Sequence, residues 1–164
     1  MQGNMASRLA IMVATLWWGM TTGLAFVAVP SLFAQLGNPA VAGPVAAWLF
    51  AVVAKLSMGC GVGLTLYLRL FSGLPLDGRV KFAIYFSFLA VLAAVLQDGV
   101  VAQQIVTARG SGGSLRLWHG LGTLLVFTQW VGALVVSWVL VSRLCETPAR
   151  CCRPLFPASC VPPV

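Results

Sequence analysis

Two charged residues of opposite sign, Lys55 and Asp98, each interrupt a long apolar stretch of the sequence. Lys55 lies 11 residues after Pro44 and Asp98 lies 9 residues before Thr107. If both stretches are antiparallel helices, both charges lie about 14–17 Å from the same helix ends at about 1.5 Å per residue. A charge at that depth in a lipid bilayer costs about 2.5–3.5 kcal/mol. We therefore predict an intramembrane charge pair between Lys55 and Asp98, formed directly or through water.

Two interpretations of this pair stay open. The pair could serve only to fix the register of two helices. Alternatively, one of its members exchanges protons or binds an ion, because ionisable groups inside a membrane often mark such pathways.

A second group of polar residues surrounds His119, the only histidine of the chain. Arg116 and Thr123 share its helical face at spacings of three and four residues, and Gln103 and Gln104 lie near the end of the preceding apolar stretch. We predict a polar cluster of these five residues at one mouth of the protein. A bis-histidine haem needs two histidines, so we expect no metal and no cofactor, although a redox or pigment cofactor held by His119 remains an alternative.

The sequence lacks the residue sets that serve most enzymes. There is no nucleophile with a partnered base, no pair of carboxylates and no zinc-binding H-E-x-x-H motif. Cys60 lies in an apolar stretch, and the other four cysteines lie near the C-terminus in a spacing that matches no metal-ligand set. We therefore expect a protein that is not an enzyme and has no catalytic residues.

The elements that carry these residues follow from composition. Only 8% of the 164 residues are charged and 60% are hydrophobic, whereas soluble proteins carry about 25% charged residues. The net charge is +7, but Lys and Arg lie mostly at the ends of apolar stretches and are not gathered on one solvated face. This distribution favours a membrane protein and argues against a nucleic-acid-binding protein.

Four segments are long enough to cross the hydrocarbon core, which takes about 20 apolar residues. They comprise residues 9–36, with Pro30 breaking the helix near its end, and residues 44–68, 82–107 and 115–144. The connections are short and rich in Gly, Pro, Asn and Ser, which forces neighbouring helices to run antiparallel. We predict an all-α, integral membrane, four-helix up-down-up-down bundle over residues 1–144, followed by a disordered Cys- and Pro-rich cytoplasmic tail at 145–164.

The orientation follows from the basic residues. The two termini and the second connection hold seven Lys and Arg, whereas the first and third connections hold only Arg109 and Arg116. Basic residues concentrate on the cytoplasmic side of membranes. We expect both termini in the cytoplasm, in a bacterial inner membrane, with lipid, further membrane subunits or a second copy of the chain as partners.

Small side chains recur every four residues around Lys55 and around Asp98, and such stripes let helix backbones approach closely in lipid. We also expect Gln129, in the middle of the fourth segment, to bond across the bundle. The residues predicted to pack helices together are Gly19, Gly23, Ala47, Ala51, Gly59, Gly63, Ala90, Ala94 and Ala102.

Several motifs carry a family resemblance. They are Leu16-Trp17-Trp18-Gly19, the stretch 26–33, the stretch 42–50 and Leu117-Trp118-His119-Gly120-Leu121. In these motifs the chain resembles the transmembrane protein 205-like family over about residues 9–144. The resemblance implies a four-helix membrane domain whose biochemical role is not established in bacteria, and the Cys- and Pro-rich tail departs from it.

The leading hypothesis for function is a small membrane protein that acts by helix packing, as an accessory or scaffold subunit. One alternative is a transport or resistance protein that moves an ion, a proton or a soft metal past Lys55, Asp98 and His119. A second alternative is a subunit that binds a redox or pigment cofactor.

Overall fold

The computed structural model describes residues 2–71, 76–101, 103–104 and 115–145, and every regular element in this part of the chain is helical. Four helices are long and apolar enough to cross a membrane. This confirms the all-α class with four spans and makes the chain a multi-pass membrane protein. The helices are α1 (Gln2–Thr22 and Val29–Leu36, joined by π-helical Gly23–Ala28), α2 (Pro39–Leu66, continued by π-helical Tyr67–Phe71), α3 (Gly78–Leu96, continued by π-helical Gln97–Val101) and α4 (Leu115–Cys145).

The connection between α1 and α2 is shorter than predicted. Gly37 adopts a left-handed conformation with φ 59°, which favours glycine and ends the first helix. The side chain of Asn38 then accepts a hydrogen bond from Ala40 N at 2.9 Å and caps α2, which begins at Pro39 and continues through Pro44. The start of α2 therefore lies five residues before the predicted one, because a cap and a proline at the first helical position are sufficient to begin it.

Pro30 does not end the first helix, contrary to the expected break. A proline has no backbone N–H, and its ring crowds the carbonyl group four residues earlier, here that of Phe26. The wider π-helical turn Gly23–Ala28 lies directly before Pro30, and the helix then continues to Leu36. The π-helical turn thus accommodates the proline within one continuous span.

The helices pack most tightly where two glycines face neighbouring helices. A Cβ atom built on Gly132 would lie 2.6 Å from Ala90 Cβ and 2.8 Å from Phe86 O. A Cβ atom built on Gly61 would lie 2.5 Å from Val91 Cγ2. At Gly132 only glycine lets the helices come this close, because the facing atoms include backbone. At Gly61 a larger residue would require the side chain of Val91 to move.

Hydroxyl groups link the helices in the same region. Trp17 is 1% exposed, and its Nε1 donates to Ser57 Oγ at 2.9 Å. Ser87 Oγ donates to Gly61 O at 3.0 Å, and Thr65 Oγ1 donates to Ser87 Oγ at 2.9 Å. Because lipid offers no hydrogen-bonding partners, polar groups at this depth must satisfy one another. We call this region, around Trp17, Gly61, Ser87 and Gly132, the packed half.

An ion pair lies beyond the packed half, at the end where α3 begins. Asp77 Oδ1 accepts from Val80 N at 3.0 Å and caps α3, while its Oδ2 accepts from Arg143 Nη2 in the last turn of α4. The Arg143 guanidinium holds the pKa of the Asp77 carboxyl below its usual range, with a smaller contribution from the Val80 N–H. The contact between Asp77 and Arg143 was not predicted from the sequence.

The predicted tail falls almost wholly outside the described residues, which end at Cys145.

Candidate functional site

In the other half of the bundle the helices part around a cavity of about 580 Å³. All four helices contribute walls, from residues 25–33 of α1, 43–51 of α2, 97–101 of α3 and 119–130 of α4. We call this region the cavity half. Its volume lies within the range of about 300–1,000 Å³ that is typical of small-molecule sites.

Two π-helical segments form part of the cavity wall. Ala25 and Phe26 come from the segment before Pro30, and Gln97 and Val101 come from the segment that ends α3. Such segments widen a helix locally, turn its side chains out of the ordinary register, and occur frequently at functional sites. Two of the three π-helical segments in the described residues therefore lie where the bundle opens.

Aromatic rings on α1 and α4 line one side of the cavity and hold one another in place. Trp130 Nε1 donates to Thr22 Oγ1 at 2.9 Å, which fixes the indole. The ring of Phe26 meets it edge-on, with centroids 5.8 Å apart, and the ring of Phe127 stacks on it at 5.7 Å. Opposite them, α2 contributes small residues such as Gly43, Ala47 and Ala51.

A pair of glutamines lies at the inner end of the cavity. Gln129 Nε2 donates to Gln97 Oε1 at 2.6 Å, so the expected bond from Gln129 across the bundle is confirmed. The two side chains are only 2% and 7% exposed, respectively. Gln129 Nε2 also donates to Leu125 O at 3.4 Å. The contact with this carbonyl identifies the Gln129 atom as the amide nitrogen, so the Gln97 atom that faces it is the oxygen.

The second amide atom of Gln97 is therefore a donor. Gln97 lines the cavity, and its Nε2 makes no hydrogen bond with any residue that the structure describes. Gln97 was not predicted from the sequence as a site residue. The available signal was its position next to Asp98 inside the third apolar segment.

The polar cluster predicted around His119 is brought together only in part. His119 and Thr123 both line the cavity, and Thr123 Oγ1 donates to His119 O at 2.9 Å. Gln103 and Gln104 are exposed and do not line it. Arg116 belongs to α4, but its side chain lies outside the described part of the chain.

Lys55 and Asp98 do not form a direct ion pair with each other in the structure, so the direct form of the predicted contact is not found. Lys55 is exposed and Asp98 is half-buried. The reason is rotational: Ser57 is 0% exposed, and because each residue advances about 100° around a helix, Lys55 points about 200° away from it. Lys55 therefore faces away from the rest of the bundle.

The residues predicted to pack helices fall into three groups. Ala90 and Ala94 are 0% exposed in the core, whereas Ala47 and Ala51 line the cavity. The third group is Gly19, Gly23, Gly59 and Gly63, where an added Cβ would meet no atom of the described chain within 4 Å. Ala102 lies outside the described residues.

The small residues predicted to form a packing stripe on α2 do not lie on the buried face of this helix. The core uses Ala54, Ser57, Gly61, Leu64 and Leu68, a repeat that alternates steps of three and four. A strict step of four drifts away from this face by about 40° per step. Gly61 was left out of the predicted stripe for this reason, and no stripe was predicted on α4, which carries Gly132.

No group of three or more His, Cys, Asp or Glu side chains within the described ranges is placed to hold a metal ion. Cys60 is half-buried in α2, and the tail cysteines Cys151, Cys152 and Cys160 lie outside those ranges.

Neither the curated proteins nor the solved structures with which the chain was compared include a match. One protein family matches residues 12–114, which is more than half of the chain and covers α1 from residue 12 onward together with α2 and α3. The match does not confirm the resemblance to the transmembrane protein 205-like family. The chain belongs to the family described as a domain of unknown function, DUF4149.

Proposed function

We propose that this protein is a non-enzymatic membrane subunit that acts by packing its helices against another transmembrane protein, with a second copy of the chain as its first partner. The observation that carries the proposal is the exposed Lys55 in the interior of the second span. A lysine there costs about 2.5–3.5 kcal/mol without a partner. An acidic side chain on a neighbouring molecule would remove most of that cost.

Asp98 is the acidic group whose depth fits. Thr65 on α2 bonds to Ser87 on α3, and Gly61 on α2 packs against Val91 on α3. The two helices are antiparallel, so moving four residues toward the start of α2 corresponds to moving four residues toward the end of α3. Continuing this register puts Lys55 level with the start of the segment Gln97–Val101. A two-fold axis along the membrane normal keeps depths equal in both copies, so Lys55 of each copy is level with Asp98 of the other.

The surface around Lys55 also suits a close helix contact. Gly59 and Gly63 lie on the same exposed side of α2 as Lys55, and an added Cβ at either would meet open space within this chain. Small residues four apart let two membrane helices approach closely. We further propose that the protein lies in a bacterial inner membrane with both termini in the cytoplasm, which the basic residues near Asp77 and at the termini support.

The test uses charge reversal in trans. Lys55→Asp and Asp98→Lys each place like charges at both contacts, so each variant alone should be monomeric. Mixing the two variants restores opposite charges at both contacts and should restore the dimer. Lys81→Asp, which reverses an exposed lysine in the first turn of α3, is the matched control and should remain dimeric.

The oligomeric state is measured by size-exclusion chromatography with light scattering in mild detergent, and by single-molecule photobleaching in lipid vesicles. A monomeric wild type, or two variants that do not recover the dimer when mixed, would overturn the proposal. A contact within one chain would not be repaired by mixing, so the experiment separates the two arrangements.

A second candidate function is cofactor binding through His119, which is favoured by the position of His119 in the cavity wall. An absorption band in the visible range that disappears in His119→Ala would support it, and a colourless wild type purified from native membranes would count against it. Transport past Lys55, Asp98 and His119 has less support, because neither Lys55 nor Asp98 lines the cavity.

A further inference from the structure

We infer that the cavity binds an uncharged, lipid-soluble molecule that carries a planar ring and a carbonyl oxygen. No Asp, Glu, Lys or Arg among the described residues lines the cavity. A charged ligand would therefore lose its hydration without gaining an opposite charge, which is strongly unfavourable. The part of the wall that the structure describes therefore favours neutral molecules.

The carbonyl follows from Gln97. This side chain is 7% exposed, its Oε1 accepts from Gln129, and its Nε2 is left as a donor at the cavity wall. An amide donor that faces a largely apolar cavity wall gains free energy from a hydrogen bond, and an acceptor oxygen on a ligand would supply it. Thr123 does not compete for that oxygen, since its hydroxyl already donates to His119 O.

The planar ring follows from the aromatic side chains that line the cavity. Trp130 is held by Thr22, and Phe26 and Phe127 present an edge and a face around it. Aromatic rings bind other rings in these stacked and edge-on arrangements. A lipid acyl chain could also enter a cavity of about 580 Å³, but it has no oxygen for Gln97 and no flat face for Trp130.

The binding experiment compares two probes of nearly the same shape, 2,3-dimethyl-1,4-naphthoquinone and 2,3-dimethylnaphthalene, with the full chain in lipid nanodiscs; the methyl groups block addition of cysteine thiols to the quinone ring. The site should bind the quinone more tightly than the hydrocarbon by about fivefold or more, the factor that corresponds to one hydrogen bond. Binding is measured by equilibrium dialysis against empty nanodiscs, which removes the contribution of partition into lipid.

Two variants separate the effect of losing the hydrogen-bond donor from the effect of losing the glutamine pair. Gln97→Leu removes the donor and should abolish the preference for the quinone. Gln129→Leu breaks the same glutamine pair but leaves Gln97 Nε2 in place, so it should keep the preference. Equal binding of both probes by the wild type would overturn the inference. An equal loss of the quinone preference in both variants would also overturn it, because the preference would then depend on packing and not on the donor.

A cavity-filling variant provides a third check. Ala51→Phe inserts a ring from the α2 wall and should lower the affinity for both probes at least tenfold. Unchanged binding in this variant would show that the probes bind elsewhere. Lys55 lies on the outer side of α2, so these results are independent of the proposed self-association.

Discussion

The packed half and the cavity half are built from the same four helices, yet their contacts use different residues. In the packed half, Gly61 and Gly132 let helices approach until an added Cβ would clash. In the cavity half, large rings on α1 and α4 face small residues of α2 across open space. Small residues therefore do not by themselves close a membrane bundle.

The two halves meet at the glutamine pair. Gln97 and Gln129 are buried, and their hydrogen bond joins α3 to α4 beside the point where Gln97–Val101 becomes π-helical. On the side of the packed half the helices are in contact, and on the side of the cavity half they diverge. The pair thus marks the inner limit of the cavity.

The largest expected effect is on the closest contact of the packed half. Gly132→Ala places a methyl group 2.6 Å from Ala90 Cβ and 2.8 Å from the backbone oxygen of Phe86. Backbone cannot rotate away, so we expect a loss of about 1–3 kcal/mol of stability, typical of overpacking. Thermal unfolding in detergent, followed by far-ultraviolet circular dichroism, measures it.

Gly120→Ala is the matched control in the cavity half. An added Cβ at Gly120 meets no described atom within 4 Å, and alanine is a better helix former than glycine. This variant should unfold at the wild-type temperature or slightly above it. Equal losses in Gly120→Ala and Gly132→Ala would remove the distinction between the halves.

A smaller effect is expected at the boundary. Gln129→Leu should cost about 0.6–2 kcal/mol, the range for hydrogen bonds between membrane helices, because it leaves Gln97 Oε1 without its partner. The double variant Gln97→Leu/Gln129→Leu removes both polar groups and should recover part of the loss. A double-mutant cycle on the unfolding temperature measures the coupling, and strictly additive losses would contradict a direct bond.

The smallest effect concerns the ion pair at the end of the packed half. Because the pKa of Asp77 is lowered by Arg143, its ionised form is favoured in the folded protein. The stability gained is fully present above the ordinary aspartate pKa of about 3.9 and is lost as the pH falls through the lower, folded value. The unfolding temperature measured between pH 7 and pH 3 reports this loss.

Asp77→Asn keeps a side chain that can cap α3 but removes the charge. This variant should lose less stability than the wild type on acidification, and Arg143→Gln should behave in the same way. A wild type and an Asp77→Asn variant with parallel pH profiles would show that the pair contributes nothing measurable.

The number and type of the helices could be predicted from the sequence, because the length of an apolar stretch fixes how many times a chain can cross a membrane. The ends were less accurate. The start of α2 depends on one hydrogen bond from Ala40 to Asn38, a local contact that competes with the hydropathy signal. Pro30 was read as a break, whereas a π-helical turn absorbs it.

The site was predictable in part. Gln129 could be identified as an inter-helix donor because an amide in the middle of a span needs a partner. The register that brings Lys55 and Asp98 to a common depth could also be predicted, but the direction of Lys55 could not, since it depends on which face of α2 is buried. The cavity depends on how four helices diverge, and no spacing of residues encodes that divergence.

The central claim, that one half of the bundle is closed and the other open, is tested most directly by one substitution made in both. Ala94→Leu adds the larger side chain in the core at a site that is 0% exposed, whereas Ala47→Leu adds it at the cavity wall. We predict that the unfolding temperature in detergent falls for Ala94→Leu and is unchanged or higher for Ala47→Leu. A comparable fall for Ala47→Leu would contradict the account, because it would show that the space around Ala47 is already filled.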